Sequence, residues 1–175
     1  MSCLGVHFAI TPAQMERLVE ITEDEECDDT DEALHEAVAE IEERWQTKYL
    51  HQTDKAWDAI HRTLTLDHTP KGRLDPEAGE PPLNLVIIGG DQLYEGDDYT
   101  ISLIAPEEVV AVAAALSKVS EAWMRERFFQ LKKKNTQYDI DEDQFDYMYS
   151  NFKGLPKFFA RAANEGRAVI FTADH

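Results

Sequence analysis

The sequence predicts a single α+β domain spanning residues 1–175, in which a small mixed sheet packs against several helices. Three observations predict it. Leu4, Val6, Phe8 and Ile10 alternate with small or polar residues, as do Tyr99, Ile101 and Leu103, the period of a strand with one buried face. Elsewhere apolar residues return every three or four positions, the period of a helix. Strands and helices do not alternate regularly, which favours α+β over a doubly wound sheet. A chain of 175 residues, 43% of them hydrophobic, suits one domain with a substantial core. At this size about 70% of the unfolded surface can be buried.

Residues 4–10 read as the first strand. Thr11, Pro12 and Gln14 then start a helix, with Thr11 as cap, Pro12 in the first turn and Gln14 reaching back to the cap. That helix runs to about Glu20 and buries Met15 and Leu18. Residues 20–32 contain nine acidic side chains and read as a solvated loop. Leu34, Val38, Ile41, Trp45 and Tyr49 define a helix over about 31–49, and Trp57, Ile60, His61 and Leu64 another over about 54–64. Residues 67–82, rich in Pro, Gly and charge, read as a loop. Leu85–Ile88 is a continuous apolar run ending at Gly89-Gly90 and reads as a central strand. Asp91 to Asp98 reads as an acidic loop, and a strand follows at 99–103. Pro106, Glu107 and Glu108 open a helix with the stripe Val109, Val112, Leu116 and Val119. Ser120 caps the next, which carries Met124, Phe128 and Leu131 and ends in Lys132, Lys133 and Lys134. A helix through Phe145, Met148 and Phe152 is interrupted at Gly154 and Pro156, resumes through Phe158, Phe159 and Ala162, and is capped by Gly166. Ala168 to Thr172 closes the chain as a strand.

Charge is distributed unevenly. The first hundred residues hold 24 Asp and Glu against 7 Lys and Arg, and the remaining 75 hold 11 against 10. A one-sided acidic field selects cationic partners and argues against DNA, RNA or an anionic membrane, all of which need clustered Lys and Arg. No apolar run approaches the roughly 18 residues of a membrane span. The N-terminus lacks the basic start and small-residue cleavage site of a signal peptide. The two cysteines, Cys3 and Cys27, have no framework spacing and read as free thiols. The expected setting is therefore cytoplasmic.

The stretch Thr53-Asp54-Lys55-Ala56-Trp57-Asp58-Ala59-Ile60-His61, with Gly5-Val6-His7-Phe8-Ala9-Ile10 before it, resembles the YfbM-like family of small bacterial proteins of unknown function. Leu85-Val86-Ile87-Ile88-Gly89-Gly90, Leu103 to Val109, and Phe158 to Ala163 with its terminal strand follow in the order that this resemblance implies. The resemblance implies a compact bacterial α+β domain and carries over no catalytic residue. The acidic insert at 22–32 is heavier than the family pattern requires.

Candidate chemistry is sparse. His51, Asp54, Asp58 and His61 fall near one face of a helix, where two His and two Asp are possible zinc ligands. Residues two turns apart, however, stand about 10 Å apart along the axis, too far to share a metal. Capping by Thr53 or Asp54, packing of Trp57, and a His61 bonded to backbone is the simpler reading. Gly89-Gly90 lacks the remainder of a nucleotide fingerprint, no Ser lies in a GxSxG elbow, and the run Glu23 to Glu32 lacks calcium-loop spacing. Arg125, Arg127 and Lys132 to Lys134 read as partners for the chain's own acids and for a helix end.

Two functions are expected from this. The first is a non-catalytic module that binds a basic protein, in its strongest form an immunity or inhibitor protein neutralising a basic toxin domain. Its contact residues are Glu23, Asp24, Glu25, Glu26, Asp28, Asp29, Asp31, Glu32, Glu36, Glu40 and Glu43. The alternative is an enzyme or small-ligand-binding protein with a pocket around Asp54, Trp57 and His61, joined by Lys55. No cofactor or metal is expected in either case.

Overall fold

The alternation at the N-terminus forms strand β1 (Gly5–Ile10). In the computed structural model, which describes residues 4–24, 29–94, 96 and 99–174, four further strands join it. They are β2 (Leu50–Asp54), β3 (Asp91–Tyr94), β4 (Tyr99–Ile104) and β5 (Ala168–Asp174). Their order is β2-β1-β5-β4-β3. Each pairing is antiparallel, so the expected mixed sheet is corrected to a purely antiparallel one. The terminal strand β5 sits at the centre, paired to β1 over Gly5–Ile10 and to β4 over Tyr99–Ile104.

Period-two patterning divides the core between the sheet's two faces. On one face Val6, Phe8, Ile10, Ile101, Leu103 and Ile170 pack on Leu18, Leu34, Ala37 and Val38. Those four belong to α1 (Pro12–Glu23) and α2 (Thr30–Arg44), a two-helix layer. On the other face Ala9, Ile104, Val169, Phe171 and Ala173 meet a thicker layer. It consists of α3 (Trp57–Thr65), α4 (Pro106–Leu116), α5 (Glu121–Phe128), α6 (Glu142–Phe152) and α7 (Leu155–Asn164).

Helix boundaries follow the cap chemistry. Gln14 N–H donates to Thr11 Oγ1 at 3.2 Å while Thr11 N–H donates to Gln14 Oε1 at 2.8 Å, a complete capping box. Ser120 and Asp141 cap α5 and α6 by accepting from Trp123 and Gln144. Gly166 ends α7 at φ 63°, its N–H bonding Ala163 O and that of Arg167 bonding Ala162 O. This is a Schellman closure, which requires a left-handed residue at that position.

Five expectations are corrected. Leu85–Ile88 is not a strand: Leu83–Val86 is a 3-10 turn, closed by Gly89 N–H on Asn84 O. A continuous apolar run suits any segment buried on all sides, and this one lies between α3 and α4. The helix expected to reach Tyr49 stops at Arg44, and the one expected from Asp54 starts at Trp57 with Ala56 as N-cap, Asp54 ending an edge strand over Leu50–Asp54. Asp91–Tyr94 is the opposite edge strand rather than loop. Helix α5 stops at Phe128, and Lys132 to Lys134 lead through a further 3-10 turn, Lys133–Asn135, instead of ending a helix. The acidic segment after Glu20 is partly helical: α1 runs to Glu23 and α2 begins at Thr30. Cys3 and Cys27 lie outside the described residues.

His7 is fully buried on β1 among Phe158, Phe159 and Phe171, with Nε2 2.7 Å from the Val86 carbonyl. Burial lowers it to about 3, against the pull of that carbonyl bond. Burial likewise lowers His61 to about 4. Both are neutral in the native state, while the unfolded chain takes up protons near pH 6.5. The unfolded form therefore binds more protons over that window, and stability is lost as pH falls from 6.5 towards the native values. Each histidine is expected to contribute a slope of up to about 1.4 kcal/mol per pH unit. In urea unfolding across this range, wild type should lose stability relative to His7→Phe as the pH is lowered. A pH-independent difference would contradict a neutral buried His7.

Gly5 is a place where only a missing side chain fits. A Cβ there would lie 2.7 Å from Thr53 Oγ1, 2.8 Å from Trp57 Cδ1 and 2.9 Å from Phe171 Cε2. Gly5→Ala is expected to cost about 1–3 kcal/mol by overpacking. Denaturant unfolding should show this as a lowered midpoint with an unchanged slope.

Candidate functional site

The site is built from the chain reversal between β2 and α3 and from the loop after α3. At Asp54 the backbone turns left-handed, φ 48°, and the carboxylate accepts from the Tyr147 hydroxyl at 2.8 Å. Thr53 is buried and donates to the Gly5 carbonyl. Helix α3 then presents Asp58 and, one turn on, Arg62, whose side chain is 0% exposed. Arg62 Nε donates to Asp58 at 3.1 Å. Its terminal nitrogens donate to the carbonyls of Asp67, Thr69 and Arg73. Asp67 braces the same loop from within, accepting from the amides of Thr69 at 2.8 Å and Asp75 at 2.9 Å. Arg127 bonds the carbonyls of Thr63 and Leu64 at the end of α3, and Asn135 bonds those of His68 and Thr69.

The loop so held forms one wall of a cleft of about 740 Å³. Gly72, Arg73, Leu74 and Pro76 come from the loop, Lys55, Trp57 and Asp58 from the start of α3, and Ile88, Gln92 and Thr100 from the sheet side. Gln137, Tyr138, Gln144 and Tyr147 close it from the α6 side. Its volume and mixed aromatic and polar walls match those of small-molecule sites. It opens on the five-helix side of the sheet, away from α1 and α2.

Electrostatics separates the groups. Burial pushes the Asp58 carboxyl above its ordinary value, against the opposing pull of the Arg62 charge. The Tyr138 hydroxyl is buried beside Asp58, and burial, followed by the negative charge of Asp58, raises it. Burial also acts to raise Asp67, but the Asp75 and Thr69 amides, the Thr69 hydroxyl and Arg62 hold it below its ordinary value.

The residues predicted from sequence divide accordingly. Trp57 and Lys55 line the cleft, and Asp54 lies behind Tyr147. His61 is 1% exposed, is not among the lining residues, and has its Nε2 3.2 Å from the Asp75 carbonyl. The expected helical line through His51, Asp54, Asp58 and His61 does not exist, because His51 and Asp54 belong to β2. Among the described residues no three His, Cys, Asp or Glu side chains converge as a metal site. Sequence reading identified 67–82 as a loop but gave it no role in a site, and it singled out none of Arg62, Gln92, Tyr138 and Tyr147. The one available signal was an arginine on the apolar stripe Ile60-His61-Leu64.

The acidic residues gather on the thin helical layer. Glu23 ends α1, with Asp24 as its C-cap, and Asp29 caps α2 by accepting from Glu32 N–H. Asp31, Glu32, Glu36, Glu40 and Glu43 are exposed on α2. Glu40 is paired with Arg17 at 2.7 Å, and burial-facing Glu42 accepts from Tyr99 and Thr172 on the sheet. Glu25, Glu26 and Asp28 lie outside the described residues. Of the basic residues read as internal partners, Arg125 pairs with Glu142 and Lys133 with Asp139.

These elements define a class: a three-layer α+β domain with an antiparallel sheet and a cleft on its thicker side. The chain belongs to the family described as a domain of unknown function (DUF1877), which it matches over residues 1–172. Its fold is similar to that of YfbM from Escherichia coli, solved as a protein of unknown function. The two share 17% identity and a TM-score of 0.66, over 97% of this chain and 99% of that one. The YfbM-like resemblance is thus borne out at the level of family and fold. No curated protein matches the chain. Among the described residues no helix is long and apolar enough to cross a membrane.

Removing Arg62 strips three carbonyls and Asp58 of their shared donor. Arg62→Ala is expected to cost about 3–5 kcal/mol. Asp58→Asn retains a polar acceptor and is expected to cost less. Calorimetric or denaturant unfolding of both variants checks the order.

Proposed function

We propose that this protein is a non-catalytic binding module whose ligand site is the cleft between the 67–76 loop, the start of α3 and α6. The observation that supports this most is the way the wall is built. A fully buried guanidinium is committed to holding a surface loop in one shape, the kind of preorganisation that lowers the cost of binding. Asp58, the one carboxylate among the described residues that line the cleft, is engaged by Arg62, which favours binding over acid–base chemistry. The expected test is a screen of polar small molecules by amide NMR. Binders should shift resonances of residues 55–58, 72–74 and 137–138, and Gln137→Trp, which fills the cleft from an exposed position, should abolish those shifts. A binder whose shifts map elsewhere and survive Gln137→Trp argues against the cleft.

A second reading is supported by the placement of charge. Residues 12–44 hold 14 acidic against 2 basic side chains, and their two helices form one layer on the sheet face opposite the cleft. Such a face steers a basic protein partner, with a toxin domain as the strongest form and an immunity-type, cytoplasmic role as its consequence. Replacing Glu32, Glu36, Glu40 and Glu43 with lysine should slow association with such a partner roughly tenfold or more at low salt. Stopped-flow rates measured against ionic strength decide this, and an unchanged rate removes the steering role. Gln137→Trp should leave that rate untouched.

A further inference from the structure

The chain carries 35 acidic residues against 17 basic ones, yet among the described residues the cleft lining reverses the ratio, with Lys55 and Arg73 against Asp58. The charge of Asp58 is already offset by Arg62 behind it. Neither the Lys55 ammonium nor the Arg73 guanidinium has a carboxylate at ion-pair distance among the described residues, although six other ion pairs form there. Both side chains are exposed. Arg73 is also fixed in place by its backbone, whose carbonyl accepts from Arg62.

We infer that the cleft takes a small organic anion whose carboxylate or phosphate group is held by Lys55 and Arg73, while a hydroxyl or amine of the same molecule donates to Asp58. This rests on the reading of the cleft as a ligand site. The guanidinium fork matches either oxyanion, and the ammonium adds a point charge. Around them the described lining is uncharged, with the amides of Gln92, Gln137 and Gln144 set among the apolar Trp57, Leu74, Pro76 and Ile88. Gln92 uses its amide nitrogen on the carbonyls of Ile88, at 2.6 Å, and Gly90, at 2.9 Å, so it offers the ligand its oxygen. The net charge of −18 repels anions at a distance. Attraction in the cleft must therefore come from local contacts, and removing the two cations should eliminate it.

The experiment titrates the full chain with matched probes while following its amide and indole resonances: ribose 5-phosphate against ribose, gluconate against glucose, and spermidine as the cation. The expected result is that at least one anion binds ten times or more tightly than its neutral parent, with shifts at residues 55–58 and 72–74. The phosphate and carboxylate arms tell which oxyanion is preferred. K55Q/R73Q changes only exposed side chains and should keep the urea midpoint while weakening the anion at least tenfold. Neutral parents or spermidine binding in the cleft as well as the anions do would overturn the anion assignment and leave the cleft as a ligand site. Anion binding that survives K55Q/R73Q would overturn the role of the two cations. An absence of cleft shifts with every probe would overturn both this inference and the binding reading.

Discussion

A guanidinium buried without water must find acceptors for its donors and a counter-charge, or the fold around it fails. Arg62 meets that constraint by drawing one carboxylate and three backbone carbonyls around itself. The carbonyls belong to a segment without regular secondary structure, which would otherwise have little to define it. The arginine exchanges its own hydration for the shape of that loop, and the loop is a wall of the cleft. Asp67, Arg127 and Asn135 then bond further backbone groups of the same corner. Stability at this corner and the geometry of the candidate site therefore have a common origin.

The sheet sets the rest. An antiparallel sheet commonly leaves one face to solvent, but this one is covered on both, by two helices on one side and five on the other. Its exposed edges are short strands, β2 and β3, the usual defence against edge-to-edge pairing. The unequal covering places the two proposed binding surfaces on opposite sides of the sheet. The thin layer carries the dense negative charge, and the thick layer encloses the cleft with its local cations. A ligand in one place and a macromolecular partner at the other would not compete for surface.

Much of this was legible in the chain. Thr11 and Gln14, Ser120, and Gly166 mark helix ends through local hydrogen bonds that need no tertiary partner. The alternation in β1 and β4 shows in sequence because large apolar side chains on one face alternate with small or polar ones, Gly5, His7 and Ala9 in β1 and Thr100 and Ser102 in β4, on the other. Trp57 and Lys55 stood out in a distinctive segment, and both line the cleft. The misses have one character. Leu50–Asp54 and Asp91–Tyr94 carry little apolar alternation because they are edge strands, held by one neighbour each. Leu85–Ile88 is apolar throughout, so its period could not distinguish a strand from a buried turn. Tyr138 and Tyr147 reach the cleft from about 80 residues beyond α3, a distance that no local pattern encodes.

By itself, then, the sequence determined the α+β class, most helices, the family resemblance and the concentration of acid near the N-terminus, since all of these depend on local period, cap chemistry or charge count. Only the tertiary structure decided that β5 lies at the centre of a wholly antiparallel sheet, that His61 is sealed while Asp58 faces a cavity, and that Arg62 organises the loop beside it. Those outcomes depend on which buried polar groups find partners across the chain. Such pairing is a property of three-dimensional packing and leaves no period in the order of residues.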